Sequence, residues 1–175
     1  SADARVRFID ELRDRLRALP SVRDVAIASD VPLAGGSSAG FLRIPDADQP
    51  VRYYRHSVAP DFFRALRVQL IAGRTFSADD RATSPLVVMI NRSAARRFWN
   101  GQDPIGKFVQ LGNDSTARAT IVGVVDDVRY RDLTTPLATS EPDVYFAISQ
   151  RPPGGVEIAL RSDASPDGLA TPVRR

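Results

Sequence analysis

The chain has 175 residues and a formal net charge of +3, with 43% hydrophobic and 26% charged residues. This length suits one domain or two small subdomains with a substantial core, and the composition is ordinary for a globular protein. The chain contains no cysteine, which excludes disulfides, thiolate zinc sites and cysteine nucleophiles. Acids interleave with the arginines along the chain, which argues against a nucleic-acid-binding face.

The N-terminal third predicts one helix followed by strands. Apolar residues recur at helical spacing over residues 3–19, with Ser1 or Asp3 as N-cap and Pro20 as the stop. Residues 22–28 predict a strand, and the Gly- and Ser-rich residues 32–40 predict a mobile loop. Residues 41–44 and 51–58 then predict a hairpin-like pair of strands.

The rest of the chain alternates short helices with short strands. Residues 60–66 predict a short helix, and residues 68–71 and 86–90 predict strands. Asn91 is the predicted N-cap of a helix over residues 92–99, which Asn100 and Gly101 end. Strands are predicted at 107–111, 119–125, 144–148 and 156–161, and a last helix from Ser165. This order is neither regular βαβ nor all-β, and it predicts an α+β fold.

The residues that could carry chemistry do not form a catalytic pattern in the sequence. His56 is the only histidine and lies inside a predicted strand, where it is interpreted as an ordinary strand residue. Asp126 and Asp127 end another predicted strand, and adjacent strand residues point to opposite faces, so they do not form a carboxylate dyad. A hydrolase using either aspartate with His56 is the minor alternative. No catalytic, cofactor-binding or metal-binding residue is predicted, and the chain is expected not to be an enzyme.

Seven runs along the chain carry a family resemblance: VAPDFFRAL at 58–66, LIAGRTF at 70–76, VVMIN at 87–91, AARRFW at 94–99, DPIGK at 103–107, IVGVVDDV at 121–128 and EPDVY at 141–145. In this order and spacing they resemble the periplasmic core domain of MacB-type, FtsX-like ABC transporter permeases, including a permease group abundant in acidobacteria. The resemblance covers roughly residues 8–162.

The resemblance implies a periplasmic domain, on the outer side of the inner membrane, tethered by membrane helices and driven by a cytoplasmic ATPase domain or subunit. ATP-driven motion would reach a substrate or a periplasmic adaptor through it. It also implies a porter-like α/β subdomain, placed at residues 1–74 and 151–175, and a β-rich Sabre-like subdomain at residues 75–150. Both ends of the chain are expected to be cut from a longer protein. A free-standing periplasmic ligand-binding or adaptor protein is the main alternative.

No reactive site is expected under this reading, so the candidate functional residues are surface contacts. They lie in the Gly- and Ser-rich loop, at the end of the third predicted helix and in the Pro-Pro-Gly-Gly turn. The predicted partner contacts are Gly35, Gly36, Ser37, Ser38, Trp99, Pro153 and Gly154.

Overall fold

The computed structural model describes residues 1–34, 36, 38–45, 49–112, 117–130, 134, 142–163 and 165. Its helices are α1 (Ala2–Arg17), α2 (Phe62–Ala65) and α3 (Arg92–Trp99). Its strands are β1 (Val22–Ala28), β2 (Ser38–Arg43), β3 (Val51–Val58), β4 (Leu70–Gly73), β5 (Val87–Asn91), β6 (Phe108–Leu111), β7 (Arg118–Val125), β8 (Asp143–Ala147) and β9 (Glu157–Ser162). Within the described residues, no helix has the length and apolar character needed to span a membrane.

Six of the strands close into a ring. They follow the order β2-β6-β7-β5-β8-β3, and β2 pairs with β3 as well, which joins the two ends of the series. Strand β3 also pairs with β1 outside the ring, and β1 pairs in turn with β9. Strand β4 pairs with β7 and is not part of this series. The ring is therefore a small barrel with two strands added at one edge, a form that removes most open sheet edges.

The inside of the ring is filled by one apolar cluster to which all six strands contribute. Its members alternate along each strand, as inward-facing residues must: Leu42, Tyr53, Val88, Ile90, Val109, Leu111, Ala119, Ile121, Val124, Val144 and Phe146. Ala94 and Trp99 of α3 join the same cluster, so α3 packs across the interior. Small barrels of this size are filled by side chains and have no channel.

Two further clusters cover the outer surfaces of the strands. Helix α2 packs Phe62 and Phe63 against Met89 and Tyr145, on the side of the strands that faces away from the ring interior. Helix α1 packs Ile9 and Leu16 against β1. Burial of these apolar side chains, together with the packing of α3 in the ring interior, determines where the three helices lie.

The helix starts follow the capping residues that the sequence predicts. The Ser1 hydroxyl accepts a hydrogen bond from the Ala4 amide at 3.3 Å, and the Asn91 side chain accepts one from the Ala94 amide at 3.1 Å. Asn100 ends α3 in the left-handed conformation, with φ of 39°. Both N-caps satisfy amides that have no partner inside their helices.

The α+β class is confirmed, with two local corrections. The predicted loop at residues 32–40 is shorter, because β2 already begins at Ser38, which pairs with Arg55. The strand predicted at residues 68–71 lies two residues later, as β4 at Leu70–Gly73. The predicted helix from Ser165 lies outside the described residues except for Ser165 itself.

The predicted division into two subdomains does not coincide with a break in the sheet. Strands β2 and β3 come from residues 1–74 and strands β5 to β8 from residues 75–150, and all six belong to the ring. Strand β8 pairs with β3 over five residues, from Tyr54 opposite Asp143 to Val58 opposite Ala147. The porter-like and Sabre-like assignment stays a prediction.

A bulge in β7 places a glycine where the chain has no room for a side chain. The register of β7 against β5 shifts between Val88 and Met89, so that Met89 lies opposite Gly123. A Cβ at Gly123 would overlap the carbonyl oxygen of Arg74 and would lie 2.8 Å from Met89 Cε. Close backbone approach is the usual reason for glycine inside a strand.

We predict that Gly123→Ala lowers the free energy of unfolding by about 1–3 kcal/mol, the usual cost of overpacking. Gly155→Ala is the matched control, because a Cβ at Gly155 meets no atom within 4 Å. Urea denaturation of both variants measures the difference. Equal midpoints for the two variants would show that the β7 bulge has been placed incorrectly.

Candidate functional site

His56 lies at the centre of a buried charged cluster. Its Nδ1 lies 3.0 and 2.9 Å from the two carboxylate oxygens of Asp30, and its Nε2 lies 3.1 Å from Asp143 Oδ1. The three side chains are almost fully enclosed, since His56, Asp143 and Asp30 are 0%, 1% and 3% exposed. The ring stacks on Tyr130, with centroids 4.0 Å apart, and lies 5.2 Å from the ring of Tyr145.

The geometry favours a protonated His56. Ionised carboxylates only accept hydrogen bonds, so both ring nitrogens must donate, which makes the ring an imidazolium. Burial by itself lowers the pKa of His56, but the hydrogen bonds and charges of Asp143 and Asp30 outweigh it and leave the pKa raised. Burial also raises the pKa of the Tyr145 phenol well above its ordinary value, so this neighbour stays neutral.

Two polar side chains complete the cluster. Asn91 Nδ2 donates to Asp143 Oδ2 at 3.2 Å, and the Ser29 hydroxyl donates to Asp30 Oδ1 at 2.8 Å. Both oxygens of each carboxylate therefore have a hydrogen-bond partner, as a buried charged group requires. The cluster joins the segment after β1 to β3 and β8.

This cluster is structural, and a substrate has no access to it. A general base must lie within hydrogen-bonding reach of the proton that it removes, and both nitrogens of the enclosed ring already face carboxylates. Within the described residues, no group of three or more histidine, aspartate or glutamate side chains is arranged to hold a metal ion. The cluster gives no support to a hydrolase.

Asp126 and Asp127 contact other residues than His56. The Asp127 carboxylate accepts hydrogen bonds at 2.8 Å from both the amide and the hydroxyl of Ser93. Asp126 lies 3.3 Å from Arg92. Both acids therefore hold the first turn of α3, where negative charge is favourable.

Arg74, inside one of the recognised runs, also has a structural role. Its guanidinium makes two hydrogen bonds to Asp80, at 2.7 and 2.8 Å, and Asp80 also accepts from the Ser77 amide at 2.8 Å. The Arg74 hydrogen bond is the main cause of the lowered pKa of Asp80. The pair fastens the turn that follows β4.

The predicted contact residues fall into two places. Gly36 is exposed, and a Cβ there would lie 3.6 Å from Glu157 Oε1. Ser38 pairs with Arg55, and Arg55 lines one cavity together with Pro153 and Gly154. Gly36, Ser38 and the Pro-Pro-Gly-Gly turn thus lie beside β3 and β9. Gly35 and Ser37 lie outside the described residues.

Trp99 lies apart from these residues, at the far end of α3. It is 7% exposed, packs in the ring interior and lines a cavity of about 590 Å³. Core packing is therefore its main contact. The cavity walls combine aromatic and basic side chains: Ile44, Pro45, Arg97, Phe98, Trp99, Asn100, Gln102, Lys107 and Phe108.

Sequence reasoning missed the buried cluster because its members are remote in the chain. Asp30 and Asp143 lie 26 and 87 residues from His56. The sequence offered one signal, a histidine inside a predicted strand, and this pattern does not name a partner. The Arg74–Asp80 pair was missed because the spacing of the two residues in the sequence does not indicate that their side chains meet.

Solved structures share this fold. The periplasmic region of MacB from Actinobacillus actinomycetemcomitans matches with a TM-score of 0.63 and 18% identity, over 94% of this chain and 70% of that one. The extracellular domain of the noncanonic ABC-type transporter YknZ from Gram-positive bacteria matches with a TM-score of 0.62 and 12% identity, over 93% of this chain and 76% of that one. The fold is thus that of extracytoplasmic domains of ABC-type transporters.

The chain belongs to the MacB-like periplasmic core domain family, whose model matches residues 2–175. This confirms the resemblance seen in the sequence and the expected location on the periplasmic side of the inner membrane.

Two curated relatives are much longer than the chain. A protein named as a probable syringafactin export ATP-binding/permease protein of Pseudomonas syringae is 32% identical over 71% of this chain and 18% of its own length. The macrolide export ATP-binding/permease protein MacB of Haemophilus ducreyi is 26% identical over 61% of this chain and 15% of its own length. The chain therefore spans less than a fifth of each.

We predict that stability falls as the pH rises above the ordinary histidine pKa. Because the folded state raises the pKa of His56 above 6.5, the imidazolium contributes its full stabilisation below about pH 6.5 and loses it as the pH passes the folded-state pKa. Urea denaturation across this pH range measures the free energy of unfolding, and NMR titration of the single histidine measures its pKa.

His56→Gln is the matched variant. Because an amide has no charge to lose, the free energy of unfolding of this variant should vary much less over the same pH range. An imidazole that titrates at its ordinary pKa, or a wild type as pH-independent as His56→Gln, would contradict the charged assignment.

Proposed function

We propose that the domain is a non-catalytic part of an ABC transporter permease that transmits ATP-driven motion to a substrate or partner protein. The observation that carries the proposal is the unbroken hydrogen-bonded path from β9 through β1 and β3 into the closed ring. A sheet of this kind moves as one body, because its strands cannot slide without breaking their ladders.

The first and last described elements are fastened to the same strand. Helix α1 packs Ile9 and Leu16 on β1, and β9 pairs with β1 over the five residues from Asp24 to Ala28 and again at Val22. Arg17 of α1 forms an ion pair with Asp61 at the start of α2. Motion applied to α1 or β9 would therefore reach the ring through β1.

The same edge is tied to α2 by a second set of contacts. Arg161 of β9 donates to the carbonyl oxygen of Ala65 at 2.9 Å and lies 3.3 Å from Asp24. These partly exposed contacts add geometric definition more than free energy. They support a stiff connection between the edge strands and the outer helix.

Such a domain needs an ATPase elsewhere, either fused or as a separate subunit, and membrane helices that join the two. Both longer relatives are named as ATP-binding/permease proteins, which supports this arrangement. The cargo or a periplasmic adaptor would bind at Gly36 and Ser38, which are exposed, and at Pro153 and Gly154, with Trp99 reached through its cavity. Gly35 and Ser37, predicted as contacts together with them, lie outside the described residues. No cofactor or nucleic acid is part of this proposal.

We predict that loosening α1 uncouples transport from ATP hydrolysis. Leu16→Ala removes a side chain that is 3% exposed, at a cost of about 2–5 kcal/mol. In the full-length permease with its ATPase, in membrane vesicles, export per ATP hydrolysed should fall while hydrolysis continues. Arg15→Ala, on the exposed side of the same helix, should leave the ratio unchanged.

A milder variant guards against simple unfolding. Arg17→Gln breaks the ion pair with Asp61 but leaves the α1 stripe intact. If both Leu16→Ala and Arg17→Gln keep normal export per ATP while circular dichroism shows a folded domain, α1 does not transmit motion. A free-standing adaptor would show no dependence on the ATPase at all.

A further inference from the structure

Helix α3 marks one end of the ring. Helix α3 starts directly after Asn91, at the end of β5. Because β5 and β8 are antiparallel, with Ile90 opposite Val144 and Val88 opposite Phe146, the other end of the ring lies towards Phe146. We call this end the ring mouth.

A cavity of about 410 Å³ lies at the ring mouth. It is lined by Arg55, Ser57, Arg151, Pro152, Pro153 and Gly154. Arg55 and Ser57 follow Tyr53 on the interior side of β3 by strand alternation. The mouths of barrels are frequent ligand sites, and this volume suits a small ligand group.

Both arginines of the cavity lie close to aromatic side chains of the ring interior. The guanidinium of Arg151 lies over the ring of Phe146, 5.1 Å from its centroid, which restricts a long side chain. Burial raises the pKa of the Tyr53 phenol, and the positive charges of Arg55 and Arg151 both oppose that rise. Both guanidinium groups therefore act on the same interior side chain.

Neither charge is neutralised in the part of the chain that the structure describes. Arg55 and Arg151 form no ion pair there, and the residues that line the cavity include no acid. Other arginines of the same edge do find acids, as Arg161 does with Asp24. Two guanidinium groups without a counter-charge favour an anion between them.

The rest of the cavity wall suits an oxygen-rich ligand. Ser57 contributes a hydroxyl group, and its own amide is already bonded to the Ser29 hydroxyl at 3.0 Å. The turn after Arg151 has two prolines that stiffen it, and a Cβ at Gly154 would meet no atom within 4 Å, which leaves room for close approach.

We propose that the ring mouth binds a phosphate group between Arg55 and Arg151. A phosphate monoester carries a charge of about −1.5 to −2 at neutral pH and three acceptor oxygens, which match two forked guanidinium groups. The cavity is larger than a bare ion, so the phosphate would belong to a small soluble monoester or to a lipid headgroup. This site does not depend on the transmission of motion proposed above.

The test is a titration of the chain with inorganic phosphate, followed by NMR, against chloride at matched ionic strength. We expect saturable shifts of amide signals at residues 55–57 and 151–155. Arg55→Gln and Arg151→Gln should each weaken binding roughly tenfold, as for the loss of a charge-assisted hydrogen bond. Arg43→Gln is the control, because Arg43 is exposed on the outer side of β2 and lines no part of the cavity.

Vesicles distinguish the two sources of phosphate. Sedimentation with phosphatidic acid vesicles that requires both arginines, and is absent with phosphatidylcholine, would assign a lipid headgroup. Binding of free phosphate alone would assign a soluble monoester. The proposal is overturned if phosphate binding is absent, if acetate binds equally well, or if the two arginine variants bind phosphate as Arg43→Gln does.

Discussion

The closed ring depends on one short strand, β2, which is hydrogen-bonded to β3 on one side and to β6 on the other. The closure is visible at Leu42, which lies opposite Val51 in one ladder and opposite Leu111 in the next. Without β2 the apolar interior would face water along an open seam, and two sheet edges would be free to pair with other chains. The interior, the position of α3 and the ring mouth all follow from this double pairing.

The same edge of β3 explains why charge is buried at His56. Strand β2 leaves β3 after Arg55, and β1 meets it at Val58, so a short stretch of this edge lacks a strand partner. Asp30 occupies that gap and binds His56 from the side, while Asp143 binds it from β8. Each buried charge is compensated only when all three residues are in place, which defines where the segment after β1 must lie.

Local features of the fold could be predicted from the sequence, and its closure could not. The α1 stripe and the Asn91 cap follow from spacing and side-chain chemistry within a few residues. The pairing of β2 with β6 joins residues almost 70 positions apart, such as Leu42 and Leu111, and neither short strand names its partner. For the same reason the turn at Pro153 could be predicted from its prolines and glycines, but its approach to Arg55 could not.

The ring mouth lies on the same strands as the proposed path of motion. The turn that carries Arg151 lies between β8 and β9, so it connects the ring directly to the edge pair of β9 and β1. Arg55 lies on β3, the strand through which that edge pair joins the ring. A group held between the two arginines would therefore rest on both sides of the junction. It would add a non-covalent cross-link at the point where motion of the edge must enter the ring, and binding there would stiffen the junction because bound ligands stabilise the state that binds them.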